Sequence, residues 1–217
     1  VRLFLVRHGQ TEWNVLRRAQ GHTDIPLDAV GLNQAASVAA ALGKIPVDRV
    51  VSSDLLRARQ TADAIASAKG LEVDIWPDLR ERGFGVLEGA DFETVRAEIA
   101  RLAAEENVPE FAVTPKGGEN WRQVWDRVSP AAKRLRAMDG DTVVVAHGGT
   151  CSLLAAHLIG GGLEASRGFR FGNGTLTEFH RRPDGTLYLV RYDDASHLEI
   201  VPLPGSTDGV PAEGSRP

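Results

Sequence analysis

Three apolar runs in this chain each end in groups that bind anions. "LFLV" (3–6) gives way to Arg7, His8 and Gly9; "DRVVSS" (48–53) leads through Ser52 and Ser53 to Arg57; "DTVVVAH" (141–147) ends in His147, followed by Gly148 and Gly149. Alone, each is ambiguous. A histidine after a strand is commonly a hydrogen-bonded structural residue, and Asp54 and Arg57 have the i, i+3 spacing of a helix surface pair. Together they offer two guanidinium forks, two imidazoles and the free N–H groups of helix starts, a set that holds a phosphate dianion without a metal. No His-Glu-x-x-His or paired-cysteine spacing competes for a metal, and an isolated carboxylate near these strand ends would hold magnesium poorly. No metal and no other cofactor is expected.

Chemistry on a phosphate needs a nucleophile, and His8 is the better placed of two candidates. A neutral imidazole attacks phosphorus competently near neutral pH, and the cations Arg7 and Arg57 would hold its pKa down by repulsion. Its other ring nitrogen requires a backbone carbonyl to fix the tautomer, and Gly9 lets the chain come close enough to supply one. The lone Cys151 adjoins "SLLAAHLI" and reads as buried helix packing.

These residues need a scaffold that brings strand ends together. Apolar quartets alternate with helix-period stretches, the pattern of an α/β sheet with crossover helices. Segments 2–6, 48–53, 71–76 and 141–147 read as strands; 31–43, 54–70, 92–106 and 119–138 read as helices. Gly43 and Gly70 stand where left-handed C-terminal glycines belong, and Pro130 is expected to kink or split its helix. "TLTEFHRR" and "TLYLVRYD", joined by Pro183-Asp184-Gly185, predict a hairpin that adds antiparallel strands to a mostly parallel sheet. In such sheets ligands sit at the carboxyl ends of the strands, where all three anion-binding stretches fall.

Composition narrows the class. The chain has 217 residues, 42% hydrophobic and 25% charged, enough for one globular domain with a real core. Its formal net charge of -4 argues against nucleic-acid or anionic-membrane binding, so any anion must be caught by a local cluster. One cysteine and no long apolar run point to a reduced, cytoplasmic protein. The expected partner is a small phosphorylated molecule, with a homodimer left open. The Pro-, Gly- and Ser-rich residues 202–217 read as a disordered tail.

"LVRHGQTEWN" (5–14) resembles the signature of the histidine phosphatase superfamily, the phosphoglycerate-mutase-like proteins. Four further blocks follow in the family's order: "QGHTDIPLDAVGLNQA" (20–35), "SSDLLRARQTADAI" (52–65), "LRERGFGVLEG" (79–89) and "VVVAHGG" (143–149). The resemblance covers about residues 2–180 and implies a histidine phosphatase domain over 1–201. The implied fold is an α/β three-layer sandwich, its mostly parallel sheet carrying one antiparallel edge and helices on both faces. It also implies that His8 accepts the phosphoryl group, that Arg7, Asn14, Arg57 and a cationic His147 bind the phosphate, and that Glu81 donates the proton. Gln20, Gly21 and Gly148 resemble substrate contacts.

Departures from the family pattern refine the function. The acid block ends in Leu87-Glu88-Gly89 where phosphatase members usually have Trp-Glu-Gly, which reads as a packing change. Between Gly89 and Gly118 the true mutases carry a longer insertion with an adjacent arginine pair; here the segment is short, rich in Glu98, Glu105, Glu106 and Glu110, and has no such pair. "PKGGEN" resembles the broad-specificity phosphatase branch. The expected activity is therefore a metal-independent phosphomonoesterase acting through a phosphohistidine. The alternatives are a cofactor-dependent phosphoglycerate mutase and an inactive phospho-ligand-binding scaffold. His22 and Asn173 are candidates to reach the site, whereas Trp121, Trp125 and His157 read as packing.

Overall fold

The computed structural model describes residues 1–198, so the expected tail lies outside the described residues. The sheet contains β1 (Arg2–Arg7), β2 (Arg49–Ser52), β3 (Val73–Ile75), β4 (Thr142–Ala146), β5 (Leu176–Arg181) and β6 (Leu187–Asp194), in the order β3-β2-β4-β1-β5-β6. The pairs β1/β4, β2/β4 and β2/β3 are parallel, and β5 runs antiparallel to both β1 and β6. The hairpin therefore forms the antiparallel edge.

Among the described residues six α-helices surround this sheet: α1 (Glu12–Val15), α2 (Ala29–Leu42), α3 (Leu56–Lys69), α4 (Phe92–Glu106), α5 (Trp121–Ala137) and α6 (Gly148–Leu158). Alternation along β1 assigns them to layers. Leu3 and Leu5 pack with Val124, Val128 and Leu135 of α5 and Leu154 of α6; Phe4 and Val6 pack with Val38 and Leu42 of α2 and Ala62 and Ile65 of α3. β4 is buried along its whole length, as a central parallel strand must be. A third cluster of Ala19, Val95, Ile99, Ala103 and Val113 fixes α4 to the loop after α1. Leu87 packs against this cluster. Among the described residues no helix is long and apolar enough to cross a membrane.

Three local expectations are corrected. Helix α2 starts at Ala29 because Asp28 caps it, its Oδ1 accepting from Gly31 N–H at 2.8 Å. Gly43 is not left-handed (φ -52°), whereas Gly70 is (φ 63°) and closes α3 as expected. Pro130 neither splits nor ends α5. Pro130 and Asp126, whose carbonyl loses its helical donor, both lie on the exposed face, where water can satisfy that carbonyl.

The turn after β1 crosses the start of α2 backbone to backbone. A Cβ on Gly31 would stand 2.0 Å from the Gln10 carbonyl oxygen, and one on Gly9 would stand 2.4 Å from the Gly31 carbonyl oxygen. Both positions exclude any side chain, and the crossing fixes the path of the chain just after His8. Gly31→Ala should destabilise the fold by about 1–3 kcal/mol or more through overpacking. A Cβ on Gly168 would meet nothing within 4 Å, and Gly168→Ala should stay within about 0.5 kcal/mol. Urea unfolding midpoints check the pair; equal midpoints would contradict the crossing.

Candidate active site

The carboxyl ends of β1, β2 and β4 are stitched together by the backbone. His8 N–H donates to the Ala146 carbonyl at 3.0 Å and Ser53 N–H to the Val145 carbonyl at 3.1 Å. This places Arg7 and His8 beside His147, with Arg57 entering from the first turn of α3. The His8 and His147 rings are both buried, their centroids 5.1 Å apart.

The environment of His8 selects one tautomer. Its Nδ1 lies 2.7 Å from the Gly9 carbonyl oxygen, which can only accept, so Nδ1 carries the hydrogen and Nε2 keeps its lone pair. The carbonyl is Gly9's own. The glycine itself is demanded by the Gly31 crossing, a reason different from the one read in the sequence. The Asn173 amide donates to the His8 carbonyl at 3.0 Å and Gly174 N–H to that of Arg7 at 3.0 Å. Burial, then repulsion from Arg57 and Arg7, hold the His8 pKa well below the ordinary histidine value.

The two arginines have no carboxylate within ion-pair distance among the described residues. Arg57 is fully buried, donating from Nη2 to the Gly21 carbonyl at 2.8 Å and from Nη1 to that of Thr23 at 3.0 Å. Burial lowers its pKa to about 10 against the more distant pull of Glu81, Asp24 and Glu88. Arg7 donates from Nη1 to the Phe171 carbonyl at 2.6 Å. Among the described residues, five buried side-chain polar atoms lack a partner: Arg7 Nε, Arg57 Nε, His147 Nδ1, Gln20 Oε1 and Thr142 Oγ1. All but the last belong to site residues. His147 Nε2 is 2.9 Å from Ser53 Oγ, and burial, with Arg57, His8 and Arg7 behind it, depresses the His147 pKa strongly. In the free protein this environment favours the neutral ring; the cationic form expected from the sequence belongs to the phosphate-bound state.

Asn14 and Glu81 complete the arrangement. Asn14 Oδ1 accepts from Thr11 N–H (3.0 Å), Thr11 Oγ1 (3.0 Å) and Asn173 Nδ2 (3.2 Å), which leaves the Asn14 NH₂ to face the cleft. Glu81 accepts from Arg82 N–H at 2.9 Å and, through Oε2, from Gly149 N–H at 3.0 Å at the start of α6. The approach is so close that a Cβ on Gly149 would lie 2.5 Å from Glu81 Oε1. Behind it, Arg127 donates to the carbonyls of Asp78, Arg80 and Glu81, and His22 Nε2 lies 2.8 Å from the Glu81 carbonyl. Glu119 ties this buttress together, pairing with Arg127 at 2.8 Å.

A cleft of about 920 Å³ opens over these groups. Arg7, His8, Asn14, Gln20, Gly21, Arg57, Glu81 and Gly148 all line it; buried His147 stands behind His8. His22 and Asn173 are not part of the lining and serve as props. Trp121, read as packing, faces the cleft and adjoins Gly149. Arg17, Arg18 and Arg96 also line it and escaped the sequence reading. For Arg96 a signal existed: Phe92, Arg96 and Ile99 share one helical face at i, i+4 and i+7. Among the described residues no three His, Cys, Asp or Glu side chains gather as a metal site requires.

Residues 3–194 match the profile of the histidine phosphatase superfamily (branch 1), and the chain belongs to that superfamily. Among curated proteins it is similar to "Probable phosphoglycerate mutase GpmB" of Escherichia coli O1:K1 / APEC, 32% identical over 186 residues that cover 82% of this chain and 83% of the relative. Among solved structures it resembles the alpha-ribazole phosphatase of Shigella flexneri (TM-score 0.80, 32% identity, 89% of this chain and 96% of that one). It also resembles the mycobacterial glucosyl-3-phosphoglycerate phosphatase solved with VO3 (TM-score 0.76, 33% identity, 88% and 98%).

The buried imidazoles make stability depend on pH with a definite sign. Below about 6.5 the unfolded chain binds protons that folded His8 and His147 refuse, so their contribution is complete above that pH and lost as it falls. His157, also lowered by burial, acts in the same direction. His22, raised by its hydrogen bond to Glu119, acts oppositely: its contribution is complete below about 6.5 and lost as pH rises through the folded pKa. Unfolding free energy should therefore fall as the pH drops below about 6.5, and His147→Asn should reduce that slope by up to about 1.4 kcal/mol per pH unit. An unchanged slope in urea titrations would mean that folded, free His147 is already protonated.

Proposed function

We propose that the protein is a metal-independent phosphomonoesterase that hydrolyses a phosphorylated small molecule through a phosphohistidine on His8. The observation that carries this reading is a buried imidazole whose Nδ1 faces the Gly9 carbonyl, leaving the Nε2 lone pair free, beside two guanidinium groups that no carboxylate neutralises among the described residues. His8 Nε2 attacks phosphorus in line; the bond to the leaving oxygen breaks, and Glu81 gives that oxygen a proton. Water then attacks the phosphohistidine, Glu81 takes its proton, and inorganic phosphate departs with His8 restored. Arg7, Arg57 and the Asn14 NH₂ meet the non-bridging oxygens, whose charge they stabilise in the transition state. An arriving dianion raises the pKa of His147, so that ring becomes cationic with ligand bound. The phosphatases among its structural relatives, one of them solved with VO3, support this reading.

The name of the curated relatives favours phosphoglycerate mutase as a second reading. Product analysis separates the two: a mutase returns phosphoglycerate isomers, whereas a phosphatase releases free phosphate.

Rapid mixing with labelled p-nitrophenyl phosphate in EDTA, quenched in alkali, should leave label on the protein that acid removes, as a phosphoramidate requires. His8→Ala should abolish it. Glu81→Gln should raise its level, because an aryl group leaves without a proton while water attack loses its base. Acid-stable label, or label surviving in His8→Ala, would contradict the mechanism; no label and no turnover would leave the scaffold reading.

A further inference from the structure

Beyond the groups that surround the reacting phosphate, the turn after α1 and the first turns of α4 bring Arg17, Arg18 and Arg96 to the cleft. None of the three makes a side-chain hydrogen bond or ion pair among the described residues, unlike most cations near them. Of the other arginines lining the cleft, Arg167 pairs with Glu164 at 3.2 Å and Arg170 donates to the carbonyls of Arg167 and Phe169. Arg82 donates to the carbonyl of Glu119 and lies over the rings of Phe84 and Trp121.

The acidic composition of the segment after Gly89 misleads about what the cleft meets. Glu98 and Glu105 are both occupied by Arg101 on the solvent side of α4. The face turned to the cleft presents Phe92, Val95, Arg96 and Ile99. Asp91 spends its carboxylate on the cap of α4, accepting from Thr94 N–H at 2.8 Å. Apart from Glu81 and the paired Glu164, Glu110 is the one carboxylate lining the cleft, so the rim keeps a positive excess.

Arg17 is held in a costly conformation. Its φ of 54° lies in the left-handed region, fixed by its N–H donating to the Asn14 carbonyl at 3.2 Å and by its carbonyl accepting from Phe92 N–H at 3.1 Å. Those two bonds tie this arginine to the phosphate-facing Asn14 on one side and to α4 on the other. The lining also includes apolar and aromatic side chains, among them Phe84, Phe92, Val95, Ile99 and Phe111. At about 920 Å³ the cavity far exceeds a phosphate ion.

Building on the phosphatase reading, we infer that Arg17, Arg18 and Arg96 form a distal anion subsite. The natural substrate is then a phosphomonoester whose apolar body carries a second anionic group, a carboxylate or a phosphate, at its far end. The reacting phosphate occupies the Arg7, Arg57 and Asn14 cradle, the body lies along the phenylalanines, and the far anion meets the rim arginines through charge-assisted hydrogen bonds.

Straight-chain alkyl phosphates of increasing length, each compared with its ω-carboxy and ω-phosphate counterpart, test this. The ratio of kcat/KM for the two-anion compound to that for its one-anion partner should pass through a maximum of about tenfold or more at one chain length. The better of the two end groups identifies the anion. Arg17→Gln and Arg96→Gln should each pull that ratio towards one, whereas Arg101→Gln, on the far side of α4, should not. A ratio near one at every length, or equal losses from Arg101→Gln and Arg96→Gln, would overturn the subsite. If no compound is turned over, the phosphatase reading fails instead. Calorimetric binding of the same pairs then decides the subsite: tighter binding of the two-anion member, lost in Arg96→Gln, upholds it, and equal binding overturns it.

Discussion

Placing an arginine inside a protein without a carboxylate partner is the constraint from which the rest of this site follows. The penalty for removing such an ion from water amounts to several kcal/mol. Here Arg57 is fully buried, and its guanidinium is satisfied only by the carbonyls of Gly21 and Thr23. Those carbonyls must be delivered by a loop of fixed shape. Glu88 fixes that shape by accepting from the N–H groups of His22 and Thr23 at 2.9 Å each, and Gly21 leaves it room. Asp24 of the same loop then accepts from Leu56 N–H at 2.6 Å and caps the helix that carries Arg57. The positive charge is thus sustained by dipoles that cannot neutralise it, which leaves its field for an incoming anion and, after burial, helps to hold down the pKa of the neighbouring imidazoles.

The acid side is built on the opposite principle. Glu81 belongs to neither a strand nor a helix, so its position depends on the buttress of Arg127, Glu119 and His22 and on the start of α6. Burial pushes the Glu119 carboxyl up, but its bonds to His22, Arg127 and Gly83 outweigh that and hold it below the usual carboxylate range. It therefore stays charged against Arg127. Because His22 lies in the loop that satisfies Arg57, the two halves of the site share one support.

Much of this was legible in the sequence because strand ends mark themselves. An apolar run that stops at a histidine or arginine is visible without coordinates, and three such stops in an α/β pattern define a common edge. Residue types alone could not show what orientation decides. Asn14 contributes an NH₂ only because Thr11 and Asn173 occupy its oxygen, and Gly149 is required only because Glu81 folds back onto it. Gly43 resembled a left-handed cap, yet α2 ends without one; Pro130 resembled a break, yet its freed carbonyl faces water. The segment after Gly89 reads as acidic by count, while the helical period turns Arg96 to the cleft and leaves Glu98 and Glu105 outside it. Sequence reports charge, and only the fold reports which way it points.

The buried cradle holds the His8 pKa down, with its hydrogen on Nδ1 and a free lone pair on Nε2. Nitrogen-15 NMR of histidine-labelled protein measures both directly. The His8 signals should keep the neutral Nδ1–H pattern as the pH falls from 8 through the ordinary histidine midpoint near 6.5. A His8 that protonates with a midpoint near or above 6.5, or that carries its neutral hydrogen on Nε2, would contradict it.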